Sequence, residues 1–479
     1  MDKTICHLSK CIRSCRHLVL GLFFLILIPD CIAQTSKIRV LFTGDILLSR
    51  NVRTEFKKWN ASPWEELIPL FRSADLVIGN LEGAVGRSQD KYPSKSDSPV
   101  FDIDSTDIGQ LKDAGFKVLT LENNHIFDLG EEGRQRTIGT LQNFDLTPVY
   151  LDNSPQFFTV KDVVIALVTI NMIPGRDLSS NQIPSVGIAQ KLRLAGSLAN
   201  IVIVSIHWGS ELLDWPGKVQ RETAAWLVKN GADLIIGSHP HVIQKPEMVD
   251  GIPVFFSLGN HLFDQKYPRT KEGLIVGITI ENGKYRCDGI ITRTKPNSFY
   301  PEIKENKNFG LPALSLRSKT LSINGYILKP ISVSENGQPK IIFEAFFKGQ
   351  KVWATHPMPV VTIASAKPDD QHEFLFALEK HYSSLDGEIS LRPYVYDADD
   401  KGLFAKWRGS SLAWPLLDAV LLPSDTKILC ALHRGDSFIS PDKTDTSTRI
   451  AAYEWNGFGF KGINDSTIIE SSRKLFLEK

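Results

Sequence analysis

Residues 231–241 read Gly231-Ala232-Asp233-Leu234-Ile235-Ile236-Gly237-Ser238-His239-Pro240-His241. Residues 221–229 before them have helix-like apolar spacing. A Gly-type stop follows, then a short, continuous apolar run, and the chain leaves through glycine into three polar side chains. That order describes a helix followed by a strand buried on both faces, with polar groups held at its carboxyl end. The same unit recurs upstream. Helix-like 64–71 leads through Ser73-Ala74-Asp75 and an apolar 76–78 into Gly79-Asn80-Leu81-Glu82. Helix-like 107–112 leads through Ala114-Gly115 and an apolar 116–121 into Asn123-Asn124-His125. Strands at 37–42, 201–206 and 253–257 end in Thr43-Gly44-Asp45, His207-Trp208-Gly209 and Leu258-Gly259-Asn260. The expected class is α/β. Ligands of open α/β sheets bind outside the carboxyl ends of the strands, so six polar clusters at such ends predict one shared site at the rim of a single sheet.

Beyond residue 310 the pattern changes. Stretches 340–347, 360–364, 428–432 and 449–455 read as strands of an antiparallel, mainly-β domain over 311–479, with 298–311, rich in Pro, Asn and Lys, as a linker from a 37–300 domain. Trp407, Trp414 and Trp455 with Gly457 and Gly459 suggest blade-like or sandwich packing. Buried core tryptophans are favoured over an exposed binding surface.

The N-terminus carries Lys3, Lys10, Arg13 and Arg16 ahead of an apolar run over 18–28 and the small-residue end Cys31-Ile32-Ala33. Such a run suits a signal-peptide core and is too short to span a bilayer, so residues 1–33 are expected to direct export. The alternatives are a lipid anchor at Cys31, which Asp30 disfavours, and an uncleaved anchor. The first 33 residues hold four of the 55 basic and two of the 54 acidic side chains, which leaves 51 against 52. A near-neutral chain gives no support to nucleic-acid binding. Of the cysteines outside the leader, Cys287 and Cys430 are read as buried small residues rather than a bridge.

The chemistry-bearing side chains suit a metal better than a nucleophile. There is no Gly-x-Ser-x-Gly elbow and no Gly-Lys-Ser/Thr loop. Asp45, Glu82, Asn124, His207, His239 and His241 are carboxylate, amide and imidazole donors on loops held by rigid elements, the composition of a site for a divalent ion. Each has a bland reading: Asp45 a helix cap, Glu82 a solvated loop acid, His125 a turn histidine, His207 a core histidine. In an extended segment His239 and His241, two residues apart, would face the same side.

Thr43-Gly44-Asp45 with Arg50, Gly79-Asn80-Leu81-Glu82, Asn123-Asn124-His125 with Asp128 and Gly130, His207-Trp208-Gly209, Gly237-Ser238-His239-Pro240-His241-Val242 and Ser257-Leu258-Gly259-Asn260 with Phe263 resemble, in order, the motifs of the CapA/PgsA-like capsule family. The resemblance covers roughly residues 37–290. It implies a layered, calcineurin-like metallophosphoesterase sheet core and a role in poly-γ-glutamate biosynthesis. It also implies Asp45 and His241 at one metal, Asn124, His207 and His239 at a second, Glu82 in the bridging position and His125 as proton donor. The implied cofactor is a divalent ion (Mn, Zn or Fe), and the implied partners are an anionic polymer or phosphoester and capsule-synthesis membrane proteins. Arg50 and Asn260 are candidate substrate contacts, a solvated surface arginine being an equal reading for Arg50. Leu47 departs from the Asp-x-His that opens the phosphoesterase pattern. Metal-assisted hydrolysis or transfer at the cell surface is one expectation. A non-catalytic accessory for polymer export is the other.

Overall fold

The strand that ends in Thr43-Gly44-Asp45 runs Ile38–Leu47 in a computed structural model of the protein. The described residues are 37–476 apart from 60–61, 88–98, 176–179, 319, 336, 370–371, 384–387, 410–411, 413–415 and 436–445. The expected leader (1–33, including Cys31) and Trp414 therefore lie outside them. Strands Leu76–Glu82, Val118–Thr120 and Thr147–Val149 extend the first sheet in parallel on one side of Ile38–Leu47. Antiparallel strands Glu272–Glu281, Lys284–Thr294 and Pro301–Lys307 extend it on the other. A second sheet is built around parallel strands Val163–Asn171, Ile201–His207, Leu234–Ser238 and Ile252–Phe255, with Gln156–Val160 and Glu247–Val249 antiparallel at its edges.

Side-chain alternation along the strands says how the layers stack. Val40, Phe42, Leu76 and Ile78 of the first sheet share one apolar cluster with Ile165, Leu167, Ile203 and Ile236 of the second, so the sheets pack face to face. The opposite face of the first sheet, through Leu41, Val77 and Leu119, packs on Leu111, Ala114 and Leu141 of helices Gly109–Ala114 and Gly130–Asn143. The outer face of the second, through Val168, Val204 and Ile235, packs on Leu192, Ala195, Ala224 and Leu227 of helices Val186–Leu198 and Lys218–Lys229. The core is a four-layer helix–sheet–sheet–helix stack. The single sheet expected from sequence is thus two. Strands buried on both faces carry the same apolar run whichever sheet they join, so nothing in the residues separates them.

Three local differences have equally physical causes. Residues 64–71 are helical only from Ile68, where Pro69 opens the helix Ile68–Arg72. The stretch read as a linker contains the edge strand Pro301–Lys307; its alternating Lys and Glu, which mimic a solvated connector, keep an exposed sheet edge from pairing with other chains. Hairpin Glu272–Thr294 was not anticipated, because its strands follow no helix.

After residue 320 the described residues form three successive four-stranded antiparallel meanders: Leu321–Ala354, Val360–Arg408 and Leu416–Ile463. They precede helix Ser466–Phe476. The meanders differ in length, which is why no repeat period shows in the sequence. Trp407 and Trp455 pack on Phe460 between the second and third meanders. Phe343, Ile363 and Leu375 join the cluster beneath helix Val186–Leu198, and residues 37–479 form one compact unit. Cys287 and Cys430 are buried and free. Among the described residues no helix is long and apolar enough to cross a membrane.

Candidate metal centre

At Thr43-Gly44 the pairing register of the first strand slips before resuming at Asp45 opposite Asn80. Such a bulge re-aims the next side chain. Gly44 is required by close approach: a Cβ there would lie 1.9 Å from the carbonyl oxygen of Gly259, which accepts from Asp45 N at 3.0 Å. Asp45 is fully buried beside Glu82, also fully buried at the end of the neighbouring strand. One amide joins them: Asn80 Nδ2 donates to Asp45 Oδ1 at 2.9 Å and to Glu82 Oε1 at 3.3 Å. Asn80 Oδ1 accepts in turn from Asn123 Nδ2 at 3.2 Å.

The second sheet supplies the imidazoles. His207 ends strand Ile201–His207; its Nδ1 meets Ser238 Oγ at 2.9 Å and its Nε2 meets Asn124 Oδ1 at 2.9 Å. Glu82 Oε1 lies 3.9 Å from the same Nε2. His239 and His241 do not occupy an extended segment. Both have left-handed backbone, φ +94° and +59°, so the pair converges through a bend about Pro240 rather than by strand alternation. Non-glycine residues hold such conformations only where the surroundings enforce them, and they gather at functional sites. Ring centroids are 4.8 Å apart for His207 and His239 and 5.9 Å for His239 and His241. His241 Nδ1 lies 2.9 Å from Asn260 Oδ1 and 3.2 Å from Asp45 Oδ2.

Burial holds the Glu82 carboxyl well above the ordinary range, and the adjacent Asp45 charge adds to it. Burial lowers His207 far below its ordinary value, helped by His239 and His241, and brings His239 down to about 3, helped by His241. The His207 and His239 rings are therefore neutral and offer lone pairs, the form in which histidine binds metal. Glu82 Oε2 and His239 Nδ1 are buried without a hydrogen-bond partner among the described residues. Two overlapping donor groups, Asp45–Glu82–His241 and Glu211–His239–His241, each bring their ligand atoms within 4.8 Å of one another. Paired buried carboxylates, unprotonated imidazoles and orphaned acceptors are the donor set that fits a divalent cation.

Beside this cluster His125 Nδ1 meets Asp128 Oδ2 at 2.9 Å, and its ring stacks on Phe101 at 3.8 Å. Asp128 also accepts from Phe101 N at 2.7 Å. Arg50 lies over the Phe101 ring, 5.3 Å from its centroid, with Nη2 3.0 Å from Asp264. It is therefore neither free nor merely solvated. Asn260, expected as a substrate contact, is instead occupied: Oδ1 on His241, Nδ2 on Gln265 and on the Thr270 carbonyl. Its amide holds His241. Leu47 lies in the apolar cluster of the outer helices and supplies no ligand.

Sequence reasoning missed Asn80 as the carboxylate bridge, Ser238 as the support of His207, and Glu211 as a donor beside His239. Asn80 and Ser238 stand inside quoted motifs, where they passed for turn residues. Glu211, four residues past His207, had only proximity to recommend it.

The sequence model of the family described as "Bacterial capsule synthesis protein PGA_cap" matches residues 39–265, the span that carries every donor named above. The PGA biosynthesis protein CapA of Bacillus subtilis (strain 168) is 31% identical over 273 residues, covering 51% of this chain and 70% of that protein. The capsule biosynthesis protein CapA of Bacillus anthracis is 29% identical over 266 residues, covering 51% of this chain and 64% of that protein. The chain thus spans about two thirds of the length of these relatives, and the three meanders lie outside the family match.

Proposed function

Because this chain belongs to the PGA_cap family of capsule synthesis proteins, we propose that it acts in making, anchoring or processing capsular poly-γ-glutamate or a related anionic substrate, by metal-assisted hydrolysis or transfer. The observation that carries this reading is the convergence of two buried carboxylates and three imidazoles from four strand ends on two sheets. The four-layer stack supports a metallophosphoesterase-like core. Asp45, Glu82 and His241 would hold one divalent ion. His207, Asn124 and His239 would hold a second, with Glu211 at its rim. A cation of this kind acidifies water and polarises a phosphoryl or carbonyl oxygen. The remaining work falls to the chain itself. Asp128 takes Nδ1 of His125 and fixes the ring on Phe101, which leaves Nε2 to give a proton to the departing group. Arg50, steadied by Asp264 and Phe101, presents positive charge beside that proton donor. Export to the cell surface and contact with capsule-synthesis membrane proteins complete the proposal; its support is the leader pattern of residues 1–33 and the family.

The test is turnover of poly-γ-glutamate and of a generic phosphodiester by the full chain supplied with Mn, Zn or Fe. His125→Ala is expected to lower kcat by about 10²–10⁴-fold with metal content unchanged. An equal rate in this variant would remove His125 from the reaction. Leu47, which supplies no imidazole, favours a second reading, a non-catalytic accessory for polymer export. That reading predicts no turnover with either substrate under any of the three metals.

A further inference from the structure

A cavity of about 740 Å³ opens between helix Val186–Leu198 of the core and the first two C-terminal meanders, far larger than one small ion and within the range of sites for organic ligands. Its charged lining does not balance. Asp152 is engaged by Arg134 at 3.1 Å, Lys340 by Glu335, and His381 by Glu379 at 2.6 Å. Glu379 is buried and accepts a second bond from Tyr396 Oη at 2.6 Å. Two cations remain. Lys191 Nζ donates to the Ser154 carbonyl at 2.7 Å, and Lys380 reaches the cavity from strand His372–Ser383. Neither has a carboxylate ion pair among the described residues. Burial pushes the Lys191 ammonium down to about 8; Asp152 and Glu122 oppose the fall, and Lys380 adds to it least. An anion entering the cavity would attract both ammonium groups and offset the desolvation of Lys191. An ordinary pair of solvated surface lysines would not involve a half-buried member. On the same hairpin Tyr382 and Ile389 are direct cross-strand partners, 69% and 60% exposed, so an apolar lip adjoins the cationic wall.

We propose that this cleft binds the carboxylates of an extended anionic chain, with Lys191 and Lys380 as the charged contacts and the Tyr382–Ile389 lip along its apolar stem. The identity of that chain as a γ-linked glutamate polymer rests on the function proposed above; the cleft itself does not. It lies on the C-terminal meanders and the core together, and so assigns the meanders the task of holding polymer away from the metal centre's own loops. A compact phosphate would fill a small part of the volume and leave the lip unused.

The experiment is calorimetric titration of the full chain with a short γ-linked glutamate oligomer and, separately, with citrate, repeated on Lys380→Gln and on Lys191→Gln/Lys380→Gln. Lys380 is exposed, so the single variant tests the cleft even if the double variant folds poorly. Oligomer binding that weakens roughly tenfold or more in the variants, and weakens with added salt, supports the proposal; metal content should not change. Equal oligomer affinity in all three proteins overturns it, as does failure of both ligands to bind. Lysine-dependent citrate binding without oligomer binding would keep the cleft as a carboxylate site and remove the polymer reading.

Discussion

The amide of Asn80 stands between two buried carboxylates, donating to Asp45 at 2.9 Å and to Glu82 at 3.3 Å. Asn80→Leu keeps the volume and removes the donor. In chelator this variant should lose about 1–3 kcal/mol of stability, and added divalent metal should restore more to it than to the parent; denaturant melts with and without EDTA read both effects. Identical melts would show that the bridge carries nothing. His261 gives a pH dependence independent of the centre. It is fully buried, accepts from Trp64 Nε1 at 3.0 Å, and burial brings it down to about 3. The unfolded imidazole takes its proton near 6.5. Between those values the unfolded state binds the additional proton, so stability falls as pH falls from about 6.5 toward 3, by about 1.4 kcal/mol per unit for this group. His261→Gln should remove that share of the slope in melts between pH 7 and 5. At this scale the donor types were legible, because carboxylate and imidazole at a strand end have few other uses. Supports such as Asn80 and Asn260 were not, since an amide in a turn looks the same whether it holds a ligand or a loop.

Strands deliver these side chains, and their ends were the legible part of the fold. Ile201–His207 and Leu234–Ser238 begin and end within two residues of where their apolar runs place them, because a doubly buried parallel strand has no other composition. What the residues did not show was the crossing of backbones between elements. Gly44 and Gly237 each leave room for a neighbouring carbonyl, with a Cβ falling 1.9 Å from Gly259 O and 2.0 Å from Phe256 O. Gly44→Ala should therefore displace Asp45, costing about 1–3 kcal/mol through overpacking and lowering metal occupancy as well. Full occupancy in a folded Gly44→Ala chain would show that the bulge can shift without moving the carboxylate. The left-handed His239 and His241 belong to the same class of feature: dihedrals imposed by the surrounding sheets, with no signature in a His-Pro-His string.

Across the molecule, helix Val186–Leu198 packs on the second sheet through one face and shares its cluster with Phe343, Ile363 and Leu375 of the meanders. Alternation of strand and helix announced the first half and runs of β-branched residues the second, but no residue pattern marks two separated surfaces as one core. We propose that the meanders and the core unfold together. Phe343→Ala, at a fully buried position, should then cost about 3–5 kcal/mol and shift a single calorimetric transition, whereas two transitions with only one displaced would show independent domains. The donors meet where the two sheets adjoin, and metal stoichiometry reads that junction. The full chain, equilibrated with Mn, Zn or Fe and freed of loose ion, should retain at least one ion per chain with one of them. Asp45→Ala and His241→Ala, which remove donors contributed by different sheets, should each retain markedly less while remaining folded. Retention that is absent in the parent, or equal in all three folded proteins, would contradict the account.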